Sequence, residues 1–428
     1  MEIGVQERSG PPREGVGRAS FSRARAKRCV PPGTREVLQP APAGALVACL
    51  IALVGCGPGE NPGPEPFGPS GHPSGLPLLS SEQMSYLGSF SLPSQDSHDR
   101  PLSYGGHALS VNPAGGSLFF GGHDWYQELC EVGVPASIGT GSGTIVRGCT
   151  DVTEGKLAGA GNYHVKLGGT LVHNGRLIIS AYEYYDADGS QVNTHGVSGT
   201  DLGATADFQG WYPLAAAATP RSMAGYMTVI PEEWRPLLGG PALTGLCCVS
   251  ILSTTSAGPA ATVFDPDDVG VKNPIPGFTL LQYPLGNATT GDGTESNPIF
   301  VQSDAVVGMA FPAGSRSVLF FGRHGTGPYC YGTGEDCDDP VDGSKGTHAY
   351  PYVHQVWAYD AVELVAVKQG AKQPWQVRPY ATWTLSEMDA GGGATIRGAA
   401  YDPATRRVYV TEGFGDTPVV HVYRLALP

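Results

Sequence analysis

The sequence predicts an all-β fold made of repeated four-stranded units. Its 428 residues include 62 Gly and 37 Pro but only 15% charged residues. This composition is typical of many short strands joined by tight turns, and it argues against long helices. Hydrophobic residues make up 41% of the chain, which is enough for a sizeable core. The second observation is a pattern of strands that recurs from residue 81 onward.

Each recurrence has a strand of small residues, a turn and a very apolar strand. These segments are 104–124, 163–186, 305–325 and 395–416, each followed by a further short strand at 129–135, 224–231, 354–360 and 419–425. An alternating strand at 86–92 precedes the first unit, and a less regular central unit covers 245–252 and 258–266. The small residues of the first strands would suit a crowded central channel.

Turn residues such as Asn112-Pro113 and Asp402-Pro403 separate the first two strands of a unit. Irregular repeats of this kind resemble a β-propeller. The sequence predicts about five blades, and insertions leave room for six or seven. A pair of β-sandwiches is the alternative, although it would not require the same strand order to recur. The resemblance is one of architecture, it covers residues 81–428, and it matches no single enzyme family.

The N-terminal region has the pattern of an export signal. Eight basic residues precede an apolar run, Ala45–Val54, that is too short to span a bilayer. The stretch Leu53-Val54-Gly55-Cys56 resembles the lipobox of bacterial lipoproteins. That resemblance implies cleavage before Cys56 and a lipid on its sulfur; an ordinary signal peptide is the alternative. We therefore expect a signal peptide at 1–55, a lipid-anchored Gly/Pro-rich tether at 56–80 and a propeller domain at 81–428.

Cysteine use agrees with export to the periplasmic or cell-surface side of the bacterial envelope. Removal of residues 1–55 and lipidation of Cys56 would leave an even number of cysteines, which in an exported chain predicts disulfides. The six are Cys130, Cys149, Cys247, Cys248, Cys330 and Cys337. Pairing of nearest neighbours would give 130–149, a vicinal 247–248 bond and 330–337, although six cysteines allow fifteen connectivities. A vicinal ring could form an apolar platform under a ligand.

The charge of the chain limits its partners. The net charge is −13, and residues 56–428 contain 18 basic and 35 acidic residues. A body this acidic repels nucleic acid and anionic lipids, so an anionic polymer would need a local basic patch. We expect a glycan or another extracytoplasmic ligand, contact with the membrane through the lipid anchor only, and a monomer. No cofactor is predicted outright. Calcium is the candidate at Asp186 and Asp188 and at the acidic segment of Glu335, Asp336, Asp338 and Asp339, where neither segment completes a calcium-binding loop.

Chemistry-bearing residues concentrate in the loops that join the second strand of a unit to the third. In a propeller these loops share one face, and in this sequence the loops of the opposite face, such as Asn112–Gly116, are short turns. The candidate catalytic residues are His123, Tyr182, Arg323, His324, His348 and Tyr350. The candidate ligand-binding residues are Asp124, Trp125, Glu183, Tyr184, Tyr331 and Glu412. We predict that the two groups meet near the mouth of the central channel.

Two classes of function remain open from the sequence. His, Tyr and Arg together suit a polysaccharide lyase, which removes the proton beside a uronate carboxyl. A glycoside hydrolase would need two carboxylates, for which Asp124, Glu183, Asp304 and Glu412 are candidates. The alternative to an enzyme is a propeller that binds a glycan or a protein partner through the same face.

Overall fold

The computed structural model describes residues 73–249, 254–287, 299–329, 339–340, 348–388, 395–413 and 417–427. All of them lie in one compact unit, Pro66–Pro428. They form five four-stranded antiparallel blades, so the prediction of a β-propeller of about five blades is confirmed. No helix among these residues has both the length and the apolar character needed to cross a membrane.

Four blades follow one another along the chain. Blade I contains β2 (Ser110–Asn112), β3 (Ser117–Gly121), β4 (Leu129–Gly133) and β5 (Thr144–Thr150). Blade II contains β6 (Val165–His173), β7 (Arg176–Glu183), β8 (His195–Gly199) and β9 (Gln209–Tyr212). Blade III contains β11 (Met227–Val229), β12 (Ala242–Thr244), β13 (Ala261–Phe264) and β14 (Ile275–Leu281), with β10 (Leu214–Ala215) parallel to β14. Blade IV contains β15 (Ala305–Ala310), β16 (Ser317–Gly325), β17 (Tyr352–Asp360) and β18 (Ala381–Thr384).

Blade V closes the ring by joining both ends of the described chain. It contains β19 (Thr395–Asp402), β20 (Arg407–Gly413) and β21 (Val419–Leu425), and its fourth strand is β1 (Met84–Ser91). The first strands of successive blades contact one another in the cyclic order β2, β6, β11, β15, β19 and back to β2. These five strands therefore surround the axis of the ring.

The described residues contain few helices, which precede β1 or connect strands. The α-helices are α1 (Arg235–Leu238) and α2 (Ala361–Lys368). The 3-10 turns are Pro73–Gly75, Ser81–Gln83, Leu157–Ala160, Pro220–Met223, Glu232–Trp234, Pro266–Asp268, Leu285–Asn287 and Pro374–Gln376. Asp360 is the N-cap of helix α2, and its carboxylate accepts a hydrogen bond from the Val362 N–H.

The very apolar second strands are explained by burial on both faces. Successive side chains of a strand point to opposite faces of the sheet. In β3, Leu118 and Phe120 pack toward blade V, whereas Phe119 packs toward blade II. The described residues contain five such hydrophobic clusters, one between each pair of neighbouring blades. A second strand must therefore be apolar at nearly every position.

The small residues of the first strands allow close approach around the axis. A Cβ atom added at Gly168 of β6 would overlap the Ala224 carbonyl next to blade III. Gly106 has a φ of +101°, and a Cβ there would lie 2.9 Å from Thr411 Oγ1 of blade V. Side chains at these positions would push neighbouring blades apart.

One strand assignment from the sequence is wrong. The segment 224–231 was expected to end the second unit, but it contains β11, the first strand of blade III. The residues between β7 and this segment contain β8 and β9, the outer strands of blade II. Because β8 is rich in small and polar residues (HGVSG), the alternation expected of a strand is weak there.

Candidate functional site

A cavity of about 560 Å³ opens where first strands begin and second strands end. All five blades contribute to this axial cavity. Blade III contributes the aromatic ring of Tyr226 and the disulfide of Cys247 and Cys248. The other four blades contribute polar side chains, which are His107 and Asp124 from blade I, Lys166 and Tyr182 from blade II, Arg323 from blade IV, and Thr395 and Arg397 from blade V. Tyr182, Asp124, Arg323 and Tyr184, which the sequence predicts as site residues, therefore line one cavity.

A β-bulge places Arg397 in this cavity. The register between β19 and β20 shifts between Ile396 and Gly398, so Arg397 is the extra residue of the bulge. Bulges re-aim a side chain relative to the regular alternation of a strand. Equivalent shifts occur in β6 and β15, and their extra residues, Gly168 and Val307, also line the cavity.

Asp124 joins two of the cavity's cations. Its carboxylate lies 2.5 Å from Lys166 Nζ and 3.3 Å from a terminal guanidinium nitrogen of Arg397. Burial alone would raise the pKa of Asp124, but the cations Arg397 and Lys166 oppose burial, and that pKa lies below its ordinary value. Asp124 is therefore ionised and holds Lys166 and Arg397 close together.

His107 and Tyr182 are neutral groups beside these charges. Neither ring nitrogen of the buried His107 has a hydrogen-bond partner among the described residues. Burial, assisted by the positive charge of Arg397, lowers the pKa of His107 to about 3. Burial, with a smaller contribution from Asp124, raises the pKa of the Tyr182 phenol. At neutral pH the imidazole is therefore unprotonated and the phenol protonated.

Arg323 enters the cavity from the end of β16. One of its terminal nitrogens donates to the Ser303 carbonyl over 3.3 Å, and its guanidinium lies 4.4 Å from the centre of the Tyr352 ring. Its Nε is buried without a hydrogen-bond partner among the described residues. The Tyr352 ring and the Ser303 carbonyl thus orient Arg323, while part of its hydrogen-bonding capacity remains unused.

Two disulfides are present in the described residues. The Cys130–Cys149 bond confirms one predicted pair and links β4 to the end of β5. Cys247 and Cys248 form the vicinal disulfide, and both residues line the axial cavity. Cys330 and Cys337 lie outside the described residues, as does Tyr331.

His324 has a buried partner and is not part of the described cavity lining. Its Nδ1 lies 2.7 Å from an Asp304 carboxylate oxygen, and its ring meets Trp357 edge-on. Asp304 also accepts hydrogen bonds from the Gly325 and Val301 N–H groups. Burial raises the pKa of Asp304, against the opposing effect of His324. This arrangement connects the end of β16 to the loop before β15.

His348 and Tyr350 lie in the segment that returns to β17. The His348 N–H donates to Asp339 over 3.2 Å, and the Tyr352 hydroxyl donates to the same carboxylate over 2.5 Å. The Tyr350 ring meets the Tyr352 ring edge-on at 5.9 Å. Asp339 thereby ties this segment to β17, next to Arg323.

The remaining candidates are dispersed over blades I, II and V. His123 accepts a hydrogen bond from the Trp125 N–H at its Nδ1. The buried Glu183 accepts one from the Asn162 N–H. Glu412 lies 2.8 Å from His421 within blade V. Glu183 and Glu412 are thus held by groups of their own surroundings, and neither lines the axial cavity as described.

Sequence reasoning missed Lys166, Arg397 and His107. All three stand in or next to first strands, which we interpreted only as slim channel walls. A single charged residue beside glycine, as in Arg397-Gly398 and Lys166-Leu167-Gly168, was the available signal. The bulges that turn such residues toward the axis are a property of strand pairing.

In the acidic loop at Asp186 and Asp188, one carboxylate is hydrogen bonded to the backbone of the loop itself. Asp186 is buried and accepts hydrogen bonds from the Ser190 and Gln191 N–H groups. Asp188 is exposed and lies in the same turn. Asp336 and Asp338 lie outside the described residues. Calcium binding therefore stays a prediction.

No protein-family model matches the chain, and no curated protein matches it. Similar solved structures include a member of the DUF4221 family from Bacteroides vulgatus, with 10% identity, coverage of 82% of this chain and 96% of that chain, and a TM-score of 0.34. The PQQ domain of pyranose dehydrogenase from Coprinopsis cinerea has 11% identity, coverage of 79% and 96%, and a TM-score of 0.39. The Swd1 β-propeller domain from Myceliophteria thermophila has 7% identity, coverage of 74% and 82%, and a TM-score of 0.31. Scores this low carry no argument about function, so the assignment of the fold rests on the chain's own strand order.

Proposed function

We propose that this protein binds a carboxylate-bearing saccharide in its axial cavity, on the extracytoplasmic side of a bacterial membrane. The observation that supports this is a reversal of charge. The chain has a net charge of −13, yet the described lining of the cavity contains three cations, Lys166, Arg323 and Arg397, and one carboxylate, Asp124. Charges of one sign lining a cleft attract a ligand of the opposite sign.

The cavity also offers hydrogen-bonding groups without partners of their own. Both His107 ring nitrogens and Arg323 Nε are buried and have no partner among the described residues. Unsatisfied buried polar atoms cost free energy, and a ligand that supplies the missing partners recovers it. A uronate sugar combines a carboxylate for the guanidinium groups with hydroxyls for a neutral imidazole.

Calorimetric titration with D-glucuronate and D-glucose tests this proposal. We expect the unaltered protein to bind glucuronate and not glucose, because only glucuronate carries the anion. Arg397→Gln removes a charged donor, so we expect it to weaken glucuronate binding about tenfold or more. Arg147→Gln is the control, since Arg147 is exposed and is not part of the cavity lining.

Two results would contradict the proposal. One is equal affinity for glucose and glucuronate. The other is glucuronate binding that Arg397→Gln and Arg147→Gln change to the same small extent. Added salt separates glucuronate from glucose further, because the attraction between the glucuronate anion and a cationic cavity weakens as ionic strength rises.

Eliminative cleavage of a uronate-containing polysaccharide is the second candidate function, and the protonation states of His107 and Tyr182 favour it. In this reaction a base takes the proton beside the carboxyl, the C–H electron pair forms a C=C bond, and the C–O bond to the leaving sugar breaks. Unprotonated His107 can accept the proton and protonated Tyr182 can give one to the leaving oxygen. A bound carboxylate would raise the pKa of His107 and strengthen it as a base.

Hydrolysis has less support at this cavity. Of the four carboxylates that the sequence offers for it, only Asp124 is in the described lining, and two cations hold it ionised. A hydrolase needs a second carboxyl group across the bond. Incubation with a polysaccharide in which uronate and neutral sugars alternate separates these activities, because elimination yields an unsaturated, ultraviolet-absorbing product. Hydrolysis yields reducing ends alone, and a purely binding protein yields neither.

A further inference from the structure

Exposed aromatic side chains are concentrated beside the axial cavity. Every exposed Tyr or Trp of the described chain lies on blade I or blade II, at the end where the second strands finish. These residues are Tyr104, Trp125, Tyr126, Tyr163, Tyr184 and Tyr185. Hydrophobic packing does not account for such a set, because large aromatic groups are normally buried in a soluble protein.

Three of these aromatic residues line a groove over blade II. The groove has a volume of about 780 Å³ and is bordered by Tyr163, Tyr184 and Tyr185, with Asn162 and Asp188 as polar neighbours. Tyr184 also lines the axial cavity, so the groove and the cavity share a wall. Lys166 Nζ lies 4.8 Å from the centre of the Tyr184 ring. A ligand longer than one sugar can therefore extend from the cavity into the groove across Tyr184.

The charge of the groove differs from that of the cavity. None of the described residues that border the groove is Lys or Arg, and two of them, Glu183 and Asp188, are acidic. A second carboxylate placed there would meet like charge. A neutral pyranose ring fits instead, because its C–H face can pack on tyrosine while its hydroxyls bond to groups such as Asn162 and Asp188.

Resting on the proposed function, we infer that the ligand is an oligosaccharide with a uronate in the axial cavity and a neutral sugar next to it in the groove. The specificity lies in the contrast between a cationic cavity and an uncharged to acidic aromatic groove. This contrast selects against a continuous polyuronate and for a chain in which uronate and neutral residues are adjacent.

The test compares three ligands by calorimetry: D-glucuronate, glucuronosyl-xylose and glucuronosyl-glucuronate. We expect glucuronosyl-xylose to bind about tenfold more tightly than glucuronate, because its xylose ring packs on tyrosine side chains that glucuronate alone does not reach. We expect glucuronosyl-glucuronate to bind more weakly than glucuronosyl-xylose. Tyr163→Ala and Tyr185→Ala should each reduce affinity for glucuronosyl-xylose about threefold to tenfold and leave glucuronate unchanged.

Phe278→Ala is the control, because Phe278 is an exposed aromatic residue of β14, away from this groove. If glucuronate binds but glucuronosyl-xylose binds no more tightly, the inference is overturned and the proposed function stands. The inference is also overturned, and the proposed function stands, if Tyr163→Ala and Tyr185→Ala change the affinity for glucuronosyl-xylose no more than Phe278→Ala does. If the unaltered protein does not bind glucuronate, the proposed function itself fails.

Discussion

Burial determines the protonation states of individual residues in this propeller. His107 beside the cavity and His195 in β8 are both buried, and burial lowers the pKa of each to about 3. His195 hydrogen bonds to Thr194 and Thr244, whereas His107 has no partner among the described residues. The same loss of solvation thus acts on one histidine with a packing role and on another that lines the axial cavity.

The depressed pKa of His107 predicts a stability that falls in mild acid. Below pH 6.5 the unfolded chain binds a proton at this residue and the folded chain does not, down to about pH 3. The contribution of unprotonated His107 to the free energy of unfolding is fully present above pH 6.5. It is lost as pH falls below that value, by about 1.4 kcal/mol per pH unit. Urea unfolding at several pH values should therefore show a smaller loss for His107→Gln than for the unaltered protein.

Val192→Gln is the control for this measurement. Val192 is exposed and has no titratable group, so its replacement should leave the pH dependence of the free energy of unfolding as it was. Identical slopes for His107→Gln and the unaltered protein would mean that His107 is protonated in the folded state. The charges around it are Arg397, Lys166 and Asp124, of which only Asp124 favours protonation.

At the scale of elements, hydroxyl side chains connect neighbouring blades. Thr411 of β20 donates to the Gly106 carbonyl of blade I and lies within hydrogen-bonding distance of the Gly398 carbonyl of its own blade. Ser180 of β7 makes the same pair of contacts, with the carbonyls of Gly225 and Gly169. Both hydroxyls are buried, and they satisfy first-strand carbonyls that face a neighbouring blade.

Replacement of Thr411 with valine should therefore destabilise the ring. The shape of the side chain is kept, but the Gly106 carbonyl loses its donor in a buried position. We expect the free energy of unfolding to fall by about 1–3 kcal/mol. Chemical denaturation measures this, with Thr382→Val on the exposed side of β18 as the control. A loss no greater than that of the control would show that water or another group replaces the hydroxyl.

At the scale of the whole molecule, closure of the ring depends on β1. This strand pairs with β21 from Met84–Leu425 to Ser91–Val419, and Phe90 packs in the cluster between blades V and I. Just before β1, the Leu79 N–H donates to Ser317 and the Leu79 carbonyl accepts from Tyr380, both in blade IV. One short N-terminal stretch thus contacts two blades that the chain builds last.

A chain that begins at Leu92 should therefore fail to form a stable ring. It would leave the outer edge of β21 unpaired and expose one side of the interblade cluster. We expect it to lack the single cooperative thermal transition of a chain that begins at Pro73, which is the control. A cooperative transition within a few degrees of the control would show that three strands suffice for blade V.

Some features of this protein were determined by its sequence alone. Repeated pairs of a small-residue strand and a very apolar strand predicted a β-propeller of about five blades, and proximity along the chain predicted the Cys130–Cys149 disulfide. Both follow from local patterns, because strand periodicity and short loops are written in consecutive residues. Lipidation of Cys56 and the Cys330–Cys337 pair stay predictions, since these residues lie outside the described part of the chain.

Only the tertiary structure decided which side chains share the axial cavity. His324 and Arg323 are adjacent in sequence, but one meets buried Asp304 and the other lines the cavity, because successive residues of β16 face opposite sides. Arg397 reaches the axis through a bulge, and Lys166 meets Asp124 across two blades. Bulges and contacts between blades depend on how strands pair and on how the ring closes. Strand pairing and ring closure are determined by residues far apart in the chain. The sequence pattern of a single blade therefore does not predict the bulges or the contacts between blades.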